Sequence, residues 1–232
     1  SGLEPKFGFK HFCEKQMESY AWDTNSRVGA LPAVGAEVNI HEFDYSKTQV
    51  VYEDAGVKII SFPAVHQVDG PVSFRLEWNG LTFVYSGDTT PSQIFIDNAK
   101  EADVVVHETF NTVEQLMDRS GYDERTARAI GTYIHSAPEE AAVVLKEIDP
   151  RLAVVFHFFN DFDTTPEIQE RIRRHYQGPL AMATDFMVIN VTKDHVVTRM
   201  AEVSEHVWPN KSKHAGFGEA KRKPMPQMSD WL

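Results

Sequence analysis

The sequence predicts a layered α/β fold, and three observations carry the prediction. From Thr48 onward, short β-branched runs alternate with helical patterns, the order that builds a sheet flanked by helices. Asn79-Gly80 separates two runs of alternating apolar residues, which signals a tight hairpin. Four apolar runs also lead into His, Asp or His-Glu: Phe62-Pro63-Ala64-Val65-His66, Tyr85-Ser86-Gly87-Asp88-Thr89, His107-Glu108-Thr109-Phe110 and Val155-Phe156-His157-Phe158. Strands that end this way deliver ligand-type side chains to a sheet rim, and imidazole with carboxylate suits Zn²⁺ and its neighbours.

The elements follow in order. Residues 1–47 are mixed, with an amphipathic stretch around Phe9 to Tyr20 and then a loop punctuated by Gly29, Pro32 and Gly35. Gln49–Tyr52 and Val57–Phe62 read as strands on their β-branched content. Val72 to Trp78 places Val72, Phe74, Leu76 and Trp78 on one face, and Leu81–Tyr85 returns after the Asn79-Gly80 turn. Val104–Val106 is a short strand into His107-Glu108, with helical patterns after it. Ser136-Ala137-Pro138-Glu139 predicts a capping box, Ser136 capping the helix and Glu139 reaching back, with Asp149-Pro150 as the stop. Ala153–Phe156 is the next strand, Thr165-Pro166 opens a helix to Arg174, and Phe186–Val191 with His195–Met200 forms a closing hairpin turned by Lys193-Asp194. The stretch from Lys211 to Leu232 reads as a loosely ordered tail.

Composition narrows the chemistry. A chain of 232 residues with 42% hydrophobic content can bury a sizeable core, and one domain is expected. The net charge of −11, from 34 acidic and 23 basic side chains, repels polyanions unless basic groups are locally concentrated, so nucleic acid is not expected as a partner. The lone Cys13 excludes an internal disulfide and a Cys-rich zinc site, leaving His and carboxylates as metal donors. No run approaches the roughly 20 apolar residues that cross a bilayer, and no membrane association is expected.

Each candidate has a plain alternative role. His66 could be a hydrogen-bonded rim residue, and Asp88 could cap the helix after Thr90-Pro91. Glu108 could be a solvated strand end, His135 a helix N-terminal residue, and His157 an edge residue among aromatics. The histidines at 11, 41, 175, 195, 206 and 214 lack the strand-end pattern and read as surface residues; Arg171, Arg173 and Arg174 read as a solvated helix face. Trp78, Phe156, Phe158 and Phe159 are expected in the core, with Phe158, Phe159 and Phe162 near enough in sequence to line a pocket.

The order His66, Ser86-Gly87-Asp88-Thr89, His107-Glu108, His157 resembles the second half of a metallo-β-lactamase-fold hydrolase of the ribonuclease Z and arylsulfatase-like branch. The resemblance covers roughly residues 35–200, and the family's upstream His-x-His-x-Asp-His motif does not occur in the sequence. It implies an αββα sandwich, here the second half plus part of the first. The expected organisation is a helix-and-loop segment, 1–47, joining to a missing N-terminal half, then a domain portion, 48–205, and a tail, 206–232. The resemblance implies that His66, Asp88 and His157 are metal ligands in a site for two Zn²⁺, with Asp88 bridging. It further implies that Glu108 and His135 form a proton relay; Thr109, Phe110 and Ala137 depart from the family pattern there.

The expected function is a dizinc hydrolase of a small-molecule ester, lactam or phosphodiester, with β-lactamase activity as a side reaction. The tight hairpin between His66 and Asp88 leaves no room for the substrate-gripping arm common in tRNA-processing members. Two alternatives stand beside it: a tRNA 3′-processing endonuclease of the ribonuclease Z type, and a non-catalytic homologue acting in protein interaction. Alone, the chain is expected to be inactive and to associate, as a homo-oligomer or with the missing half, through the apolar face of Val72, Phe74, Leu76 and Trp78.

Overall fold

The computed structural model of the chain describes residues 41–201. Its residues from Phe43 onward belong to one unit, Phe43–Val203. Four strands open this unit as an antiparallel meander: β1 (Gln49–Asp54), β2 (Val57–Pro63), β3 (Val72–Trp78) and β4 (Leu81–Tyr85). Asn79 and Gly80 have φ of 52° and 71°, the doubly left-handed turn that their sequence predicts. Ala55 and Gly56 turn the β1–β2 hairpin in the same way, with φ of 50° and 78°, although Ala is a poor signal for it.

After β4 the pairing becomes parallel, through β5 (Val104–Glu108), β6 (Leu152–Phe156) and β7 (Leu180–Met182), which completes a seven-stranded sheet in chain order. Helices supply the returns. Helix α1 (Gln93–Ala99) joins β4 to β5. Helices α2 (Val113–Ser120), α3 (Glu124–Arg128) and α4 (Pro138–Ile148) join β5 to β6, with a π-helical turn, Ala129–Ile134, ahead of α4. Helix α5 (Thr165–Arg173) joins β6 to β7, and β8 (Met187–Val191) pairs with β9 (Val196–Met200) as a separate hairpin. Because β2 and β4 are both antiparallel to β3, strands β2, β4, β5 and β6 run the same way and end at one rim.

One sheet face is closed by helices. Phe62, Val84, Val105, Ala153 and Val155 pack under Phe95 and Ala99 of α1, Ala142 and Leu145 of α4, and Ile168 and Ile172 of α5. Burying each of the larger side chains contributes about 1.5–3 kcal/mol. On the opposite face, Val104, Leu152 and Val154 lie beneath Ile189, Val191 and Val196 of the hairpin. Trp78 is not a core residue: it ends β3 on this second face and is 52% exposed, lining a shallow apolar groove with Leu76, Phe83, Ile189 and Val191. Phe159, expected in the core, is also exposed.

Two further details differ from expectation. The capping of α4 is shifted by one residue, the Ala137 N–H donating to Oε2 of Glu140 at 2.9 Å. Ser136 cannot cap because its hydroxyl donates to the Thr89 carbonyl and its N–H points at Glu108. Arg171 is no solvated residue: its guanidinium meets Glu114 of α2, Glu139 of α4 and Glu167 of α5, tying three helices together. His41, His175 and His195 are exposed as expected. His11, His206 and His214, the stretch around Phe9 to Tyr20 and the tail from residue 206 lie outside the described residues.

Candidate active site

The Ser86-Gly87-Asp88-Thr89 turn at the end of β4 has a separate reason for each residue. Ser86 Oγ accepts the Glu108 N–H at 2.9 Å, which locks β4 to β5 at the rim. Gly87 has φ of 63°, and a Cβ there would stand 2.8 Å from the Val72 carbonyl oxygen, so only glycine fits both the backbone and the space. Thr89 Oγ1 accepts from Val65 N–H at 3.0 Å, fastening the turn to the loop after β2. Asp88 itself does not cap α1: Ser92 does, its hydroxyl accepting from Phe95 N–H. The Asp88 carboxylate thus remains available, half-buried. Burial first, and then the Asp88 charge, push the nearby Tyr85 hydroxyl above its ordinary pKa.

Glu108, fully buried at the end of β5, collects three donors. Its Oε1 accepts from Thr89 N–H at 2.7 Å and from His135 Nδ1 at 3.0 Å, and its Oε2 from Ser136 N–H at 3.3 Å. One carboxylate therefore joins the Asp88 turn to the His135-Ser136 segment. With Nδ1 held by Glu108, His135 keeps Nε2 for chemistry.

His66 meets the same segment from the other side. Its Nδ1 lies 2.8 Å from the Ile134 carbonyl oxygen. A carbonyl can only accept, so Nδ1 carries the proton and Nε2 presents its lone pair. The π-helical turn closes with His135 N–H donating to Ile130 O at 3.2 Å, and it brings the Ile134 carbonyl to His66. His157 follows β6 in the left-handed region, φ 76°, a conformation His tolerates better than most residues and one often found at functional positions.

These residues converge. Donor atoms of Asp88, His135 and His157 all lie within 4.8 Å of one another, and His157 Nε2 is 3.6 Å from Asp88 Oδ2. That is too long for a hydrogen bond and near the roughly 3.3 Å between two ligands of one tetrahedral zinc. The ring centroids of His66 and His157 stand 5.0 and 4.9 Å from that of His135. A cluster of imidazoles with one carboxylate fits zinc by donor chemistry. All five site residues singled out in the sequence meet at this rim. Among these five, the unforeseen placement is that of His135, which stands as close to Asp88 and His157 as a ligand would.

Sequence reasoning did not give functional weight to the Ile134 carbonyl, Thr89 or Ser136. A backbone acceptor leaves no sequence signal; the Ser-Gly-Asp-Thr run did mark Thr89. His107 is fully buried beside Glu108, its Nδ1 donating to the Glu108 carbonyl at 2.6 Å, and burial lowers its pKa to about 4. It is a neutral core residue.

A sheet with helices on one face and ligand-type side chains gathered at one rim is the architecture of the metallo-β-lactamase fold. The chain belongs to the beta-lactamase superfamily, whose domain model matches residues 8–158. Ribonuclease Z of Myxococcus xanthus is 35% identical over 114 residues, 48% of this chain and 33% of that protein. Ribonuclease Z of Bacillus subtilis is 31% identical over 117 residues, 49% and 34% of the two chains. A mitochondrial tRNAse Z of Arabidopsis thaliana is 30% identical over 166 residues, 66% of this chain and 16% of its own. The chain spans about a third or less of the length of these relatives. Among solved structures, the short form of human tRNase Z aligns with a TM-score of 0.43 and 19% identity, over 62% of this chain and 47% of that one.

These relatives overturn the expectation that nucleic acid is not a partner, and they favour the ribonuclease alternative over a small-molecule hydrolase. Net charge sums over the whole surface, whereas phosphate recognition depends on groups and ions at the site.

Proposed function

We propose that the protein hydrolyses a phosphodiester of RNA as a metal-dependent nuclease of the ribonuclease Z type. The observation that carries this reading is the Glu108-held imidazole of His135 beside Asp88, His157 and His66. The names of the relatives supply the substrate class. His66, Asp88 and His157 would hold zinc. When bound, zinc lowers the pKa of water toward neutrality and polarises a phosphoryl oxygen.

The chain's own residues account for the proton. Water gives one proton to solvent and adds to phosphorus as hydroxide while the bond from phosphorus to a ribose oxygen breaks, and that oxygen, a poor leaving group, takes a proton from Nε2 of His135. Glu108 accepts at Nδ1 throughout, holding the ring and its tautomer. Asp88 is anchored on the same carboxylate through Thr89, so donor and metal cluster keep a fixed spacing.

The experiment compares His135→Ala with the unsubstituted protein on a precursor tRNA and on bis(p-nitrophenyl) phosphate. We expect kcat on the tRNA to fall by roughly 10²- to 10⁴-fold, with a far smaller loss on the nitrophenyl ester, whose leaving group needs little protonation. Zinc content should not change. The proximity of His135 to Asp88 and His157 favours a second reading, His135 as a metal ligand. Loss of zinc, or equal loss on both substrates, would establish that reading instead.

A further inference from the structure

One contact at this rim has no part in the roles above. The Phe110 ring lies face to face on the His135 imidazole, centroids 4.3 Å apart and planes 13° apart, and its centroid is 5.2 Å from that of His157. The backbone holds this arrangement: Phe110 N–H donates to the Ser136 carbonyl at 2.8 Å, and Thr109 N–H donates to the Phe156 carbonyl at 2.9 Å. Asn111, next in the chain, accepts Phe159 N–H on its side chain at 3.0 Å. Phe110 is therefore fixed to the segment that carries His135 and, through β6, to the one that carries His157.

We propose that Phe110 is the positioning residue that sets the plane of the His135 ring, a role that bears on turnover only through the proton-donor reading above. The hydrogen bond to Glu108 fixes the tautomer and the place of Nδ1, while coupled changes in χ1 and χ2 can still tilt the ring plane about that contact. A flat ring against its face removes that freedom. His66 and His157 meet His135 at interplanar angles of 52° and 49°, so neither provides a parallel face. Among the described residues, Phe110 is the ring that stacks on it. The direction of Nε2, and hence the line of proton transfer, follows from this contact. Misplacing a reacting group by about 1 Å can cost on the order of 10²-fold in rate.

Phe110→Leu and Phe110→Tyr test the proposal with two readouts. In the 232-residue chain, NMR of the His135 carbon-bound ring protons reports the ring current of the overlying aromatic. Leu should abolish the upfield shift and Tyr should keep it. In turnover assays, Leu should lower kcat on precursor tRNA by roughly 10- to 10²-fold at constant KM, Tyr should restore it, and Leu should add nothing in a His135→Ala background. Unchanged His135 signals in the Leu variant overturn the proposal. So does zinc loss in that variant, or a further loss of turnover on top of His135→Ala. If His135→Ala itself costs no turnover, the proton-donor reading fails while the NMR readout still decides whether Phe110 orients the ring.

Discussion

Glu108 shows how a single side chain can organise a site. It accepts from Thr89, His135 and Ser136, three residues on two segments that the sequence separates by more than 40 positions. Its neighbour His107 has the opposite character, a buried imidazole whose pKa is lowered to about 4 by burial. Between pH 6.5 and 4 the unfolded chain holds a proton that the folded chain lacks, so stability falls as pH falls through that window, by about 3 kcal/mol in total. His107→Leu should remove this component. Urea unfolding at several pH values from 7 to 4 should give a shallower decline for the variant, and parallel curves would show that His107 does not titrate this way. His66, Asp88, Glu108 and His157 stood out as polar residues at the ends of apolar runs, whereas the role expected of His135 came from the family resemblance alone. The stack of Phe110 on His135 was not legible, since face-to-face contact between distant rings follows from register and loop path.

At the scale of elements, the sequence marks strands well and turns unevenly. Asn79-Gly80 announces its hairpin, whereas Ala55-Gly56 makes the same turn with a weaker signal. The capping residue of α4 was misread by one position because Ser136 spends its hydrogen bonds on the site. The π-helical turn left no recognisable pattern, although it determines where the Ile134 carbonyl meets His66. Gly87 gives the sharpest test at this scale. Gly87→Ala must strain a left-handed φ and push a Cβ into the Val72 carbonyl, and should cost on the order of 2 kcal/mol while displacing Asp88. Ser92→Ala, which removes the α1 cap, should cost about 1 kcal/mol and leave the site in place. Thermal unfolding with zinc titration separates them: both variants should melt earlier, and only Gly87→Ala should bind zinc more weakly. Equal zinc binding would mean that Asp88 does not depend on this turn.

For the whole molecule, the alternation of strands and helices from Thr48 was enough to predict the layered architecture, and the observed sheet follows chain order. The exposure of Trp78 was not legible, because period-2 alternation tells which face a residue occupies and not what covers that face. The donor set has a consequence at this scale too. On the proposed assignment, with His135 the proton donor, His66, Asp88 and His157 are three candidate ligands, too few among the described residues to hold two ions. Equilibrium dialysis of the 232-residue chain should saturate at no more than one zinc per chain, and Asp88→Ala should abolish binding. Two retained ions would require donors outside residues 41–201.

The loop after β2 is closed at its base by Ala64 N–H donating to the Pro71 carbonyl at 3.1 Å. At its tip Val68 is 62% exposed, and a Cβ built on Gly70 would meet nothing within 4 Å. New sequence introduced between Val68 and Gly70 would therefore extend into solvent while the closing bond and His66 kept their places. Doubling a flexible loop's length adds only about 0.6 kcal/mol of closure entropy. In evolutionary terms, this tip is where a long arm can be gained or lost in one insertion or deletion while the residues at the rim keep their places.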